Sequence, residues 1–174
     1  MLRVYLYGGP GTGKSTTAAQ TFALLKQAGR NVELVREFAK DLTWEDRQQT
    51  LGFQPYIAAK ELWHIERLEG QVEAVVSDTS PLLSLIYGAG TNNPLFEDWL
   101  VDEHGRHDTL DVFLHRDPAR GYNPRGRNQT RDEAEALDER ILELLEECSD
   151  SWVEIQMGHG AAAEIARMVE EWLP

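Results

Sequence analysis

The stretch Arg3-Val4-Tyr5-Leu6-Tyr7-Gly8-Gly9-Pro10-Gly11-Thr12-Gly13-Lys14-Ser15-Thr16 decides how the rest of the chain is read. Arg3–Tyr7 is rich in β-forming residues and stops at glycine, the pattern of a strand feeding a turn. From Lys14 to Ala28 the residues Ala18, Phe22 and Leu25 recur at helical spacing, and Gly29 closes the run, so a helix follows. Between them, Gly8–Ser15 satisfies G-x-x-x-x-G-K-[ST] at every fixed position, in the strand–turn–helix context that gives this motif its meaning. Glycines there let backbone N–H groups converge on phosphate oxygens, and the helix start adds the positive end of its dipole. Lys14 can reach the β- and γ-phosphates, and the Ser15 hydroxyl can ligate Mg²⁺. Gly8, Gly9, Pro10, Gly11, Thr12, Gly13, Lys14, Ser15 and Thr16 are therefore expected to hold ATP, with Mg²⁺ as its companion.

Outward from this loop the chain alternates strands with helices. Asn31–Val35 reads as a second strand. Ala74–Val76, running into Ser77-Asp78, reads as a third that is buried on both faces. Leu110–Leu114 and Trp152–Ile155 supply the fourth and fifth. Helical stretches are expected from about Ala39 to Leu68, with a break near Gly52 and Pro55, then at Pro81–Tyr87, Leu95–Glu103 and Ala161–Trp172. Thr130 with Glu133 forms a capping box ahead of a helix whose apolar positions Ala134, Leu137, Ile141, Leu144 and Cys148 step by three and four. Such alternation implies βαβ units. The expected fold is α/β: a P-loop three-layer sandwich with a five-stranded parallel sheet between helices, one domain over 1–174.

The 174 residues suffice for a sizeable core, and one cysteine excludes an internal disulfide and fits a reducing compartment. No run is long enough for a membrane span and the short apolar start lacks a signal-peptide pattern, so a cytoplasmic protein with no membrane partner is expected. The net charge of −13 is unevenly spread. Residues 132–174 hold 13 acidic and 2 basic side chains, the mark of solvated helix faces, whereas 115–131 hold five arginines against Asp117 alone. Arg116, Arg120, Arg125, Arg127 and Arg131 sit there among Gly121, Pro124 and Gly126. A basic loop after the fourth strand suits a lid that closes over phosphates, with Arg120, Arg125 and Arg127 as its candidate catalytic members and Arg131 the weakest.

The phosphate loop does not specify the acceptor. The guanine-reading Asn-Lys-x-Asp of a GTPase is absent from the sequence, and the third strand ends in one carboxylate rather than the acidic pair of a motor ATPase. A small kinase fits better. Glu37, at the tip of the second strand, can accept a proton from a substrate hydroxyl, and reads equally as a surface residue opening a helix. Asp78, at the tip of the third, can hold Mg²⁺ through water or act on the acceptor itself. Phe53 and Tyr56 could stack on a planar base, with Arg47, Gln49 or Gln54 at its polar edges; Tyr56 and Trp63 read equally as helix core. His104 and His107 lack further partners at zinc spacing, and Cys148 fits its helix's apolar stripe.

These segments together resemble the thymidylate-kinase-like group of P-loop kinases, and within it small bacteriophage kinases. The resemblance rests on Gly8–Thr16, on Glu33-Leu34-Val35-Arg36-Glu37-Phe38, on Val75-Val76-Ser77-Asp78-Thr79-Ser80-Pro81 and on Tyr122-Asn123-Pro124-Arg125-Gly126-Arg127. It implies a magnesium-dependent kinase with a nucleotide-type acceptor. For the phage members that acceptor is 5-hydroxymethyluracil in DNA, and the location would be the host cytoplasm. Thr79 departs from the arginine that thymidylate kinases carry after the aspartate, which argues against a nucleoside monophosphate as acceptor. Kinases of free nucleosides or nucleotides, a DNA 5′-end kinase and a regulatory P-loop ATPase remain as alternatives, and the oligomeric state is not legible.

Overall fold

The computed structural model describes residues 1–117, 119, 121–123, 125 and 129–174. Five strands, β1 (Leu2–Tyr7), β2 (Val32–Val35), β3 (Ala74–Ser77), β4 (Thr109–His115) and β5 (Trp152–Gln156), form one sheet in the order β2-β3-β1-β4-β5. Every neighbouring pair is parallel. The first strand therefore occupies the centre, and all six of its residues are buried. Alternation sorts its side chains between the two faces.

Leu2, Val4 and Leu6 point to one face, where they pack with Ala18 and Leu25 of α1 (Lys14–Gln27) and Ile165 and Val169 of α8 (Ala161–Trp172). Tyr5 and Tyr7 point to the other. There they join Ala58 and Ile65 of α4 (Gln54–Glu66), Ile86 of α5 (Leu83–Tyr87), Leu100 of α6 (Pro94–Gly105) and Ile141 of α7 (Arg131–Cys148). Arg3 shares this second face and is 1% exposed, held by Glu66 at 2.6 Å and Glu69 at 3.5 Å. Helices cover both faces, giving the three-layer P-loop sandwich.

The long helical stretch after β2 is in fact three pieces: α2 (Phe38–Trp44), α3 (Gln48–Leu51) and α4. Asp46, the one described non-glycine residue at positive φ, turns the chain between the first two, and Pro55 in the first turn of α4 begins the third. The capping box ahead of α7 is formed, with the Thr130 hydroxyl accepting from the Glu133 N–H and Glu133 accepting from the Thr130 N–H. Among the described residues no helix is long and apolar enough to cross a membrane.

Candidate active site

All strands run the same way, so their C-terminal ends lie on one edge, and the functional side chains gather there. The loop 8–13 leaves β1 and enters α1 with Gly8, Gly11 and Gly13 at φ of 130°, 91° and 99°, angles that L side chains adopt only with strain. Gly9 is constrained differently. A Cβ on it would lie 2.4 Å from the Ala134 carbonyl oxygen and 2.8 Å from an Asp138 carboxylate oxygen, so α7 presses directly on the loop.

The loop borders a cavity of about 450 Å³, with Pro10, Gly11, Gly13, Lys14, Ser15 and Thr16 on its phosphate side. Its opposite wall comes from Glu37, Gln54, Ile57 and Glu61, and from Thr79, Ser84 and Tyr87. Gly8, Gly9 and Thr12 do not line the cavity. Thr12 donates its hydroxyl to the Gly9 carbonyl at 3.0 Å. Lys14 Nζ donates to the Gly8 and Gly9 carbonyls, at 2.5 and 3.3 Å. Burial pulls the Lys14 ammonium below its ordinary range, and the negative charges of Glu37, Asp78 and Asp138 oppose that shift.

Asp78 is 3% exposed and ties two strand tips together, its Oδ1 accepting the Glu37 N–H at 2.8 Å. The Glu37 side chain is half-buried and lines the cavity. Burial raises its carboxyl above the usual carboxylate range, with Lys14 pulling the other way and Asp78 adding to the rise. One wall residue escaped the sequence reading. Glu61, in the middle of α4, is 2% exposed. It accepts from the Thr79 hydroxyl at 3.5 Å and from the Phe38 N–H. Burial, reinforced by Glu37 and Asp78, keeps its carboxyl well above the ordinary range. The signal was available: a glutamate interrupts the apolar stripe Ile57, Ala58, Leu62, Ile65 of α4.

The arginines divide. Arg116 is structural: it pairs with Asp138 and donates to the Pro10 carbonyl at 2.8 Å and the Ala134 carbonyl at 2.7 Å. Asp138 in turn accepts the Gly9 N–H at 2.6 Å. Arg131 pairs with Glu135 at 2.7 Å. Arg125 is exposed and does not line the cavity, and Arg120 and Arg127 lie outside the described residues. Of the residues considered for base recognition, Gln54 lines the cavity, whereas Phe53, 61% exposed, stands in the chain between the lining residues Gly52 and Gln54. Arg47, Gln49 and Tyr56 do not line it.

A second cavity of about 210 Å³ flanks the loop on the β4 side, bounded by Gly11, Thr12, Arg116, Asp117 and Tyr122. The Tyr122 ring lies over Gly11, where an added Cβ would meet it at 3.0 Å, and its hydroxyl donates to the Gln129 carbonyl at 2.6 Å. At the other end of the strands, Glu66, Glu103 and His107 lie close enough to share an ion, but Arg3 and Arg106 already neutralise the two carboxylates.

Three comparisons place this architecture among known proteins. No curated protein matches the sequence significantly. The fold is similar to that of a solved deoxyadenosine kinase from M. mycoides with bound dATP, at a TM-score of 0.53 and 13% identity over 97% of each chain. That likeness is one of fold. A family model described as an AAA domain matches residues 3–162. With nine-tenths of the chain inside that match and the phosphate loop intact at its start, the chain belongs to the AAA-domain family of P-loop proteins.

Proposed function

We propose that this protein is an ATP-dependent kinase that phosphorylates a hydroxyl of an uncharged, nucleoside-type acceptor. The observation that carries the reading is the Glu37–Asp78 tie. It sets one carboxylate at the cavity wall and another beneath it, both within electrostatic reach of Lys14. Phosphoryl transfer asks for positioning and charge neutralisation more than for covalent chemistry, and these groups supply both. The acceptor's hydroxyl oxygen forms the new bond to the γ-phosphorus, the bond from that phosphorus to the β–γ bridging oxygen breaks, and ADP leaves. Glu37 takes the hydroxyl proton, for which a carboxyl raised above its usual range is better matched than an ordinary one. Lys14 offsets negative charge on the transferring group. The smaller cavity, floored by Gly11 and Thr12 and covered by Tyr122, suits the nucleoside end of ATP.

The Ser15 hydroxyl and the Asp78 carboxylate are hard oxygen donors on the phosphate side, a set that suits Mg²⁺. Bound with ATP, that ion would neutralise phosphate charge. The acceptor wall favours an acceptor that carries no phosphate of its own. Thr79 stands beside two glutamates there, and Lys14 and Lys40 are the cations among the described lining residues. A pyrimidine in DNA, including 5-hydroxymethyluracil, is the second reading, supported by the exposed Phe53 beside the cavity wall as a ring on which a neighbouring base could stack.

The test is transfer of labelled γ-phosphate to deoxynucleosides, their 5′-monophosphates, ordinary DNA and hydroxymethyluracil-containing DNA, with Lys14→Ala as background. Label on nucleosides supports the first reading, and label on the modified DNA base the second. Inorganic phosphate alone, whatever is offered, would overturn the kinase reading and leave an ATPase.

A further inference from the structure

We propose that Glu61 is the residue that selects the acceptor, its buried carboxyl at the cavity wall hydrogen-bonding an uncharged amide-type edge of the kind nucleobases carry. The inference rests on the kinase reading and adds to it a residue and the chemistry that residue recognises.

A carboxyl in the middle of a helix, 2% exposed, is costly to ionise unless a cation answers it. Among the described residues no lysine or arginine forms an ion pair with Glu61. Its protein neighbours are the Thr79 hydroxyl, the Phe38 N–H and, electrostatically, the carboxyls of Glu37 and Asp78. Two further negative groups on the same side make a third charge there worse and favour the protonated acid. A protonated carboxyl offers one O–H donor and one carbonyl acceptor side by side.

The side chain could have been sealed into the core, as Ala58 and Ile65 are on the same helix, but it opens onto the 450 Å³ cavity. Gln54, seven residues earlier on the same face, also lines the cavity and already commits its Nε2 to the Leu51 carbonyl at 2.9 Å. Glu61 thus brings the α4 wall a donor and an acceptor on one rigid helix, where a substrate edge carrying the complementary pair would be held. Left without such an edge, a buried pair of this kind goes unsatisfied, which is how a polar site rejects acceptors that lack the matching groups.

Glutamine keeps the donor–acceptor pair without the acid, whereas leucine keeps the volume alone. Wild type, Glu61→Gln and Glu61→Leu would be compared by calorimetric binding of deoxycytidine, deoxyadenosine, thymidine and deoxyguanosine, and by steady-state transfer, after circular dichroism has shown each variant folded. For the nucleoside that wild type binds best, Glu61→Gln is expected to bind within about threefold. Glu61→Leu is expected to lose tenfold or more in affinity and to raise the acceptor KM in proportion, with the ATP KM unchanged. Equal binding by Glu61→Leu would overturn the inference, and so would Glu61→Gln failing as badly as leucine, since that would require a charged carboxylate. Binding with this pattern but no transfer to the bound nucleoside would overturn the nucleoside-kinase reading while leaving the role of Glu61 intact, and no binding of any nucleoside would overturn the role of Glu61 together with the nucleoside as acceptor. If leucine does not fold, the glutamine variant and Glu61→Met decide the matter by the same thresholds.

Discussion

The two flanks of the phosphate loop treat charge in opposite ways. On the β4–α7 flank, Arg116 and Asp138 satisfy one another and also grip the loop backbone at Pro10 and Gly9. On the β2–β3 flank, Glu37 and Glu61 face a cavity, and Lys14 is the cation that acts most strongly on Glu37, itself drawn down by burial. One flank uses its charges to fix the loop. The other surrounds its carboxyls with burial and like charge, which raise them above the usual carboxylate range, as is common where groups are held ready for a substrate. An ion pair and an unpaired acid at one loop can therefore carry opposite meanings, and the surroundings decide which.

The contrast can be broken first at Glu37. Glu37→Gln removes the proton acceptor and should lower kcat about 10²- to 10⁴-fold with little change in melting temperature. Because the Glu37 carboxyl lies above its ordinary range, wild-type kcat/KM should fall as pH drops through that raised value, at higher pH than a free glutamate would give. That acid limb should vanish in the variant. Survival of the limb in Glu37→Gln would transfer the role of base to another group.

On the other flank Asp138→Ala leaves the Arg116 guanidinium, 19% exposed, without its carboxylate and frees the Gly9 N–H. A fully buried pair would lose about 3–5 kcal/mol, and partial solvent access should reduce that to about 2–3 kcal/mol, measured by urea unfolding. The ATP KM should rise and the acceptor KM should not. A variant as stable as wild type would show that the loop keeps its shape without this clamp. Thr130→Ala, which removes the cap of α7, should cost about 1 kcal/mol by the same measurement.

The smallest expected effect sharpens the comparison most. A carboxyl whose folded pKa is raised stabilises the fold below its unfolded value, and that contribution is lost as pH rises through the folded value. Glu61→Gln should therefore gain stability on wild type as pH is raised from 4 to 8, each kcal/mol of difference reading as ~2–4 °C in Tm for a domain of this size. A gap that narrows with rising pH would mean that Glu61 is ionised in the fold.

Much of this architecture is legible in the residues. The loop motif, the strand and helix on either side of it and the Thr130–Glu133 cap all rest on local patterns, and each forms where the pattern puts it. Glu37 and Asp78 were likewise readable as carboxylates at strand tips. Arg116 was not readable for what it does. Within its own segment it is one of five lid arginines, and only the packing of α7 brings Asp138, 22 positions later, against it. Glu61 was hidden for the same reason, since its burial depends on Thr79 and Phe38 arriving from the tips of two strands. The order β2-β3-β1-β4-β5 is a property of pairing between distant segments, and no local window contains it.

The central place of β1 has a consequence for how the protein is made. Its hydrogen-bonding neighbours begin at Leu2↔Ala74 on one side and Arg3↔Thr109 on the other. At a synthesis rate of ~5–20 residues/s, the ribosome delivers the second neighbour roughly 5–20 s after the strand it must pair with. Until β3 emerges a strand destined for complete burial has both edges open, and until β4 emerges it still has one, so it needs shelter from other chains. The clamp on the phosphate loop is complete only once Arg116 and Asp138 have arrived with β4 and α7, so tight binding of a nucleotide would report that the nascent domain has closed.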